Sequence, residues 1–228
     1  MTCLLCDSLI KEAGTWKGLF FLEEQPFACE DCRGGFERII GKICICCGRS
    51  MPEERLCGDC RQWEKTQGWK GLLKKNRSIY SYNEFMKDTI ARFKYRGDAE
   101  LVKLFSSDLK KAFKKHFTET DLIVPIPLSL ERLSERGFNQ AELLAKQLSL
   151  TIIHPLTRTS TEKQSKKTRK ERLRSQQPFQ LTPTVEIHQK NILLVDDIYT
   201  TGKTLRQAAK LLLENGALTV SSLTLVRG

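Results

Sequence analysis

One stretch of the sequence, residues 192–204, constrains the fold more than any other. It opens with four apolar residues and continues with the adjacent Asp196 and Asp197, followed by a loop rich in threonine. A short apolar run of this kind is typical of a strand buried on both faces of a parallel sheet. Residues 205–215 have helical period and precede Gly216, a residue that often ends helices. The order of strand, acidic pair, loop and helix predicts an α/β domain.

The loop in this stretch predicts a phosphate site, and we call it the phosphate loop: Thr200, Thr201, Gly202, Lys203 and Thr204. Backbone N–H groups of such a loop and the positive end of the following helix attract an anion, while adjacent carboxylates can accept hydrogen bonds from sugar hydroxyls. A Walker A loop is excluded, because Asp197 stands where that motif requires its first glycine. A plain solvated turn would explain the glycine but not the paired carboxylates.

We expect the backbone to turn at Asp196 and Asp197. Successive residues of a strand point to opposite faces, so a strand that continued through both would direct one carboxylate toward a buried side, at a high desolvation cost. A turn would let both carboxylates reach a sugar. Two close carboxylates also attract Mg²⁺.

The cysteines predict a metal-binding segment at the N-terminus. Eight of the nine cysteines form four Cys-x-x-Cys pairs, and the three histidines lie elsewhere in the chain. Four such pairs supply two tetrahedral four-cysteine sites for structural Zn²⁺, with pairs joined either in sequence or interleaved. Cys46 lies inside the third pair and is interpreted as a bystander. The predicted ligands are Cys3, Cys6, Cys29, Cys32, Cys44, Cys47, Cys57 and Cys60.

Charge separates the chain into two parts, a predicted zinc-binding domain at residues 1–70 and an α/β domain at residues 71–228. The net charge is +11, yet residues 1–70 hold 10 basic and 11 acidic residues, so the second part carries the positive balance. A polyanionic partner, with nucleic acid first among the candidates, would explain this balance, but charge alone favours a merely solvated basic surface. Residues 158–174 hold eight Lys and Arg against two Glu, which predicts a mobile arm that contacts phosphates or a solubilising loop. The arm cations singled out as contacts are Lys163, Lys166, Lys167, Arg169, Lys170 and Arg172.

A second strand is predicted at residues 121–127, where Pro125 and Pro127 force it to end. Strand ends of this type line the ligand crevice of α/β sheets. We expect a further edge strand at residues 78–82, a short strand at residues 151–154 and the last strand at residues 217–226.

The segment between the second strand and a helix at 141–148 contains candidates for phosphate or nucleic-acid contact, with Phe138 as a stacking residue. These candidates are Arg132, Arg136, Phe138, Asn139 and Gln140.

These motifs together resemble the ComF family, and within it the ComFC proteins of Gram-positive bacteria. The resemblance extends over nearly the full length and rests on the cysteine pairs, residues 93–97, 124–127 and 136–140, Gln164 with Arg172, and the stretch from Asp196 to Thr204. It implies a type I phosphoribosyltransferase-like fold, a parallel sheet with helices on both faces, preceded by the zinc domain. One departure is Ser175, where the family usually has Asn.

The resemblance also implies residue roles. The phosphate loop would hold the 5′-phosphate of phosphoribosyl diphosphate (PRPP), and Asp196 with Asp197 the ribose hydroxyls, with Mg²⁺ accompanying PRPP. Residues 158–174 would be the flexible loop that closes over the ligand. The loop facing pyrophosphate would be Val124, Pro125, Ile126 and Pro127.

The function implied is the handling of incoming single-stranded DNA during natural transformation, beside a ComFA-type ATP-driven translocase and a DprA-type recombination mediator. The chain has no apolar run able to span a bilayer and no signal-peptide pattern, so we expect a cytoplasmic protein that reaches the membrane only through partners. The alternatives are an active phosphoribosyltransferase on a small nitrogenous acceptor and a zinc-ribbon adaptor. Nothing in the sequence identifies an acceptor-base pocket or a catalytic residue.

Overall fold

A parallel four-stranded sheet organises the computed structural model, which describes residues 1–10, 27–95, 98–158, 178–182 and 186–228. The order of the strands in this sheet is β1-β6-β5-β2. A separate antiparallel ribbon consists of β3 and β4. The strands are β1 (Asn76–Ser81), β2 (Leu122–Pro125), β3 (Leu156–Arg158), β4 (Phe179–Leu181), β5 (Asn191–Tyr199) and β6 (Thr219–Arg227).

Helices cover both faces of the sheet, which confirms the predicted fold class. On one face α7 contributes Leu205, Ala208 and Leu212 to the core, and on the other face α3, the 3₁₀ helix, α4 and α6 form a second core. The helices are α1 (Glu30–Gly34), α2 (Gly58–Lys65), α3 (Glu84–Tyr95), a 3₁₀ helix (Ala99–Phe105), α4 (Ser106–His116), α5 (Leu130–Arg136), α6 (Gln140–Ala145) and α7 (Lys203–Glu214). No helix of these described ranges is both long and apolar enough to cross a membrane.

The strand β5 contributes side chains to both cores. Ile192 and Leu194 belong to the core under α7, whereas Leu193 and Val195 belong to the core on the opposite face. All four are almost fully buried, as an apolar run in a parallel sheet covered on both sides requires.

The expected turn at the acidic pair is wrong, because β5 continues through Asp196 and Asp197 to Tyr199. The ladder to β6 stays regular to the end, with Tyr199 opposite Arg227. The ladder to β2 stops earlier, with Pro125 opposite Val195. No strand of the described residues lies beside β5 on that side beyond Val195, so both carboxylates border a crevice. The expected desolvation cost remains, because Asp197 is buried and burial raises the pKa of Asp196.

The N-terminal segment packs on both cores and on the sheet edge. Ile39 N donates to Ile79 O at 2.9 Å, and Arg38 forms an antiparallel bridge with Tyr80, so β1 is not a free edge. The expected edge strand at residues 78–82 is confirmed as β1, while the strand expected at 151–154 is reduced to a single bridge between Ile123 and Ile152. The domain boundary near residue 70 stays a prediction.

Candidate functional site

A polar pocket opens at the carboxyl ends of β2 and β5, where β5 extends beyond its neighbour. Its wall includes both carboxylates of the acidic pair and four basic side chains. This is the edge at which parallel α/β sheets bind ligands. The lining residues are Lys94, Ile126, Leu128, Arg132, Arg136, Asn139, Gln140, Ala141, Arg158, Asp196, Asp197 and Thr204.

The acidic pair is held by one lysine and one backbone amide. Lys94 Nζ lies 2.5 Å from Asp197 Oδ2, and Asp197 N donates to Asp196 Oδ1 at 2.9 Å. Burial, followed by the charge of Asp197, raises the pKa of Asp196 to about 7. A carboxylate pair in this state can accept hydrogen bonds from ribose hydroxyls or receive a cation in place of the ammonium group of Lys94.

Lys94 is a site residue that the sequence reasoning missed. It lies within residues 93–97, a segment that carries the family resemblance and for which no pocket role was predicted. Lys94 does lie in the last turn of α3, but its ammonium group reaches the pocket and pairs with Asp197. Its place in a segment that carries the family resemblance was the signal that could have identified it.

The phosphate loop connects β5 to the N-terminus of α7, which begins at Lys203. Gly202 has φ +75°, and a Cβ built there would lie 2.2 Å from Tyr199 Oη, so both conformation and space demand glycine. Lys203 N donates to Thr201 Oγ1 at 3.3 Å. Of the predicted loop residues, Thr204 lines the pocket with the acidic pair, whereas Thr200, Thr201 and Lys203 are exposed beside it.

Residues 124–127, predicted to face pyrophosphate, are partly buried in the sheet and only partly at the pocket. Val124 and Pro125 are buried at the end of β2, and only Ile126 of the four residues contributes to the pocket wall. Asn139 Nδ2 donates to Ile126 O at 3.0 Å, and Ile126 N donates to Val195 O at 2.9 Å. Pro127, the next residue, is half-buried. The backbone at this turn is thus fixed from both sides.

Arg132 and Arg136 lie on a short helix, α5, that was not expected from the sequence. Both reach the pocket. Asn139 caps α6, since its Oδ1 accepts from Ala141 N at 3.0 Å, and Gln140 is buried with its Nε2 donating to Phe93 O at 3.3 Å. These two residues therefore position the segment as well as line the pocket.

Phe138 is half-buried and contacts the core. Its ring centroid lies 5.8 Å from that of Phe93, and it packs against the core under α3. The stacking role expected for this ring stays a prediction.

The basic arm lies almost entirely outside the described residues. The six predicted cations, Lys163, Lys166, Lys167, Arg169, Lys170 and Arg172, stay predictions, as do the roles of Gln164 and Ser175. The arm's first residue, Arg158, ends β3 and lines the pocket, where burial lowers its pKa. Phe179 of β4 lies opposite Arg158 in the ribbon.

The cysteines form two clusters in which the pairs are joined in sequence, so the interleaved alternative is excluded. Within each cluster the four sulfur atoms lie within 4.8 Å of one another, so each could hold one metal ion. In the second cluster a hydrogen bond with the Cys60 thiol, followed by burial, raises the pKa of Cys47 to about 12. A divalent cation would offset the repulsion among thiolates so close together. The first cysteine cluster is Cys3, Cys6, Cys29 and Cys32, and the second cysteine cluster is Cys44, Cys47, Cys57 and Cys60.

Cys46 lies outside both clusters, as its interpretation as a bystander to the metal sites implies, yet its side chain makes a buried contact. It is buried, and its Sγ lies 3.6 Å from Nη2 of Arg206, a second residue that the sequence reasoning missed. Arg206 lies in α7 directly after Leu205 and is itself almost fully buried. A charged residue among buried positions of an amphipathic helix was the signal that could have identified it.

A family model for the phosphoribosyl transferase domain matches residues 110–228 of this chain. Competence protein ComFC of Bacillus subtilis (strain 168) is 47% identical over 229 residues, covering 100% of this chain and 95% of that protein. The chain belongs to the ComFC family. A second ComFC protein, from Streptococcus pneumoniae, is 39% identical over 228 residues and covers 100% of both chains. Competence protein F of Haemophilus influenzae is 29% identical, with 83% of this chain and 92% of that protein covered. The ComFC matches include the cysteine segment as well as the phosphoribosyl transferase domain.

Proposed function

We propose that this protein handles incoming single-stranded DNA in the cytoplasm during natural transformation, and that its pocket binds PRPP or a nucleotide 5′-phosphate. The observation that carries the proposal is the pocket itself, in which Asp196, Asp197 and Thr204 face a set of basic side chains. The ComFC relatives are competence proteins by name, which supports a role in natural transformation.

The charges of the pocket suit a phosphorylated sugar. Asp196 and Asp197 can accept hydrogen bonds from ribose hydroxyls, while Arg132, Arg136 and Arg158 can contact phosphate oxygens. The N-terminus of α7 adds backbone N–H groups for the 5′-phosphate. We propose Mg²⁺ as the companion of PRPP, because a divalent cation would neutralise the pyrophosphate and displace Lys94 from Asp197.

The positive balance of the chain supports DNA as the polyanionic partner. The net charge is +11, and the basic stretch at residues 158–174 begins at the pocket with Arg158. Contacts of this type are made to the phosphate backbone, so binding should be independent of sequence and should weaken steeply with salt.

Zinc is the metal we propose for both cysteine clusters. Four thiolates favour Zn²⁺, and a site closed by four protein ligands is structural instead of catalytic. Thiols that stay reduced agree with a cytoplasmic protein. We propose that a ComFA-type translocase and a DprA-type recombination mediator are the protein partners, and that they bring the protein to the membrane.

The test is complementation of a Bacillus subtilis strain that lacks its own ComFC. We expect this chain to restore transformation, and we expect the variant with Lys163, Lys166 and Lys167 changed to Gln to restore it less well. The purified variant should bind single-stranded DNA with a smaller slope of log affinity against log salt, by about 0.7 for each phosphate that its side chains no longer reach. Unchanged affinity, salt slope and transformation would remove the arm from the proposal.

The match to the phosphoribosyl transferase domain favours a second function, transfer of the phosphoribosyl group to a small nitrogenous acceptor. In that case PRPP would lose pyrophosphate only when the acceptor is present. Pyrophosphate release should be measured with ammonia and with free nucleobases. A turnover rate above that of PRPP alone would favour the enzyme, and its absence would favour a binding site.

A further inference from the structure

The phosphate loop is connected to the second cysteine cluster through side chains that lie between them. Tyr199, Thr200 and Thr201 form the end of β5 and the start of the loop, and the backbone carbonyl of each accepts a hydrogen bond from a side chain that reaches toward the cysteines. Three side chains make these contacts or brace them, namely Arg206, Arg227 and Trp63.

Arg206 joins the base of the loop to the cysteines. It is 1% exposed, its Nη1 donates to Tyr199 Oη at 2.7 Å, and its Nη2 lies 3.6 Å from Cys46 Sγ and 3.9 Å from Cys60 Sγ. The same guanidinium lies over the ring of Trp63, with Cζ 4.9 Å from the ring centroid. Arg206 also explains the tight packing at Gly202, since a Cβ there would come within 2.4 Å of its Nη1.

Arg227 makes a parallel connection from β6. Its Nη1 donates to the carbonyls of Thr200 at 2.9 Å and Tyr199 at 3.1 Å, and its Nη2 lies 4.0 Å from Cys47 Sγ. The residue is 6% exposed. One nitrogen of the guanidinium is thus directed to the loop backbone and the other to a cysteine of the second cluster.

Trp63 completes the connection from the cysteine segment. It lies on α2, the helix that carries Cys60, and its Nε1 donates to Thr201 O at 3.2 Å. The side chains of the second cluster and this helix therefore form the surface behind the loop, on the side away from the pocket.

Charge explains why the two arginines hold this position. A buried guanidinium is costly unless anionic or strongly polar groups surround it. Four thiolates with one divalent cation retain a net negative charge, and their sulfur atoms accept hydrogen bonds. If the metal is removed, the four sulfur atoms are no longer held together beside the two guanidinium groups, and the loop carbonyls lose fixed donors.

The first cysteine cluster has no such connection in the described part of the chain. Its contact with the larger domain runs through Arg92, whose Nη1 and Nη2 donate to the carbonyls of Leu5 at 2.7 Å and Leu4 at 2.9 Å. Arg92 lies on α3 and also pairs with Asp98. This cluster therefore braces a helix and not the phosphate loop.

We propose that Arg206 and Arg227 are positioning residues that couple metal at the second cysteine cluster to anion binding at the phosphate loop. The proposal rests on the function proposed above, that this loop takes a phosphate. Because coupling between two binding sites is reciprocal, metal should strengthen binding of the phosphate, and the phosphate should strengthen binding of the metal by the same factor.

The first arm of the test measures metal release. The background is Cys3→Ser with Cys6→Ser in the full chain, loaded with Zn²⁺, so that a zinc-selective chelator reports on the second cluster. Saturating ribose 5-phosphate should lower the amount of zinc extracted at equilibrium, with a shift in zinc affinity of at least about fivefold. Arg206→Met should abolish this shift, whereas the matched control Arg92→Met should retain it.

The second arm follows the loop without any ligand. Amide hydrogen exchange in residues 200–204 of the zinc-loaded full chain should be at least about fivefold faster in Arg206→Met than in wild type, and Trp63→Phe, a milder change, should give an intermediate value. Exchange near the first cluster should not change in either variant. The Trp63→Phe arm keeps the test valid if Arg206→Met fails to fold.

The outcomes separate the two proposals. Ribose 5-phosphate that binds without shifting zinc affinity would overturn the coupling. Failure of ribose 5-phosphate to bind, with loop exchange still raised in Arg206→Met and Trp63→Phe, would overturn the phosphate site and support the positioning role. Loop exchange unchanged in both variants would overturn the positioning role.

Discussion

The two cysteine clusters have the same spacing within each Cys-x-x-Cys pair but different surroundings. All four cysteines of the second cluster are buried and belong to the core beneath α7. In the first cluster only Cys3 is buried, and Cys6 is exposed. The difference shows that the Cys-x-x-Cys pattern specifies how a metal is held, while the packing around it determines whether the site supports a surface segment or the centre of the domain.

The two clusters also differ in their contacts with the pocket region. The second cluster lies behind the phosphate loop and touches it through Arg206, Arg227 and Trp63. The first cluster touches the opposite face of the sheet, where Leu4 and Leu5 pack on the core that contains α3. Within the described residues, only the second cluster is therefore placed to influence ligand binding at the loop.

The largest expected difference between the clusters is in the free energy of unfolding when two cysteines of a cluster are replaced. Cys57→Ser with Cys60→Ser should lower the free energy of unfolding by more than about 4 kcal/mol, because the change removes a metal site inside the core. Cys3→Ser with Cys6→Ser should cost less than about 2 kcal/mol and leave a cooperative transition. Thermal unfolding with zinc analysis of each protein makes the measurement. Equal losses would contradict the comparison.

A smaller effect is expected from one glycine in each region. Gly202→Ala should lower the free energy of unfolding by about 2 kcal/mol, because the left-handed backbone disfavours a side chain and the Cβ would meet Tyr199. Gly34→Ala, at the end of α1 beside the first cluster, has open space and should change stability by less than about 0.5 kcal/mol. Denaturant unfolding of both variants would show it, and a tolerated Gly202→Ala would mean that the loop is not tightly held.

The smallest effect is a pH-dependent change in the free energy of unfolding caused by Asp196 in the pocket. Burial raises the pKa of Asp196 to about 7 in the folded chain, above its unfolded value. The protonated form therefore favours the folded state at low pH, and this stability is lost as pH rises from about 4 to about 7. Asp196→Asn should gain stability relative to wild type over that window, by about 1 to 2 kcal/mol because the half-buried pocket admits solvent. A difference that does not vary with pH would contradict the assigned burial.

Much of the fold was predictable because local patterns agreed with one another. The apolar run before Asp196, the helix after the phosphate loop and the prolines that end β2 all appear where expected. The course of β5 through the acidic pair was not predictable, because it depends on how far β5 continues to pair with β6 after β2 has ended. A sequence does not show how far two neighbouring strands extend beside each other.

The candidate site was predicted only in part for a similar reason. Asp196, Asp197 and Thr204 come from one stretch, whereas Lys94 and Arg158 come from distant segments that the fold brings to the same pocket. Phe138 comes from a third segment, and its packing against Phe93 likewise depends on the fold. Arg206 and Cys46 meet across 160 positions of the chain, so no local pattern could reveal their contact.

The central claim, that the acidic pair and the phosphate loop form one ligand site, is tested most directly by calorimetric titration of PRPP with Mg²⁺. Wild type and the variant Asp196→Asn with Asp197→Asn should be compared, because the change keeps the shape of both side chains and removes their charge. We expect binding by wild type and a loss of at least about 100-fold in the variant, with zinc content and unfolding cooperativity retained. Equal binding by both proteins, or no binding by wild type, would contradict the claim.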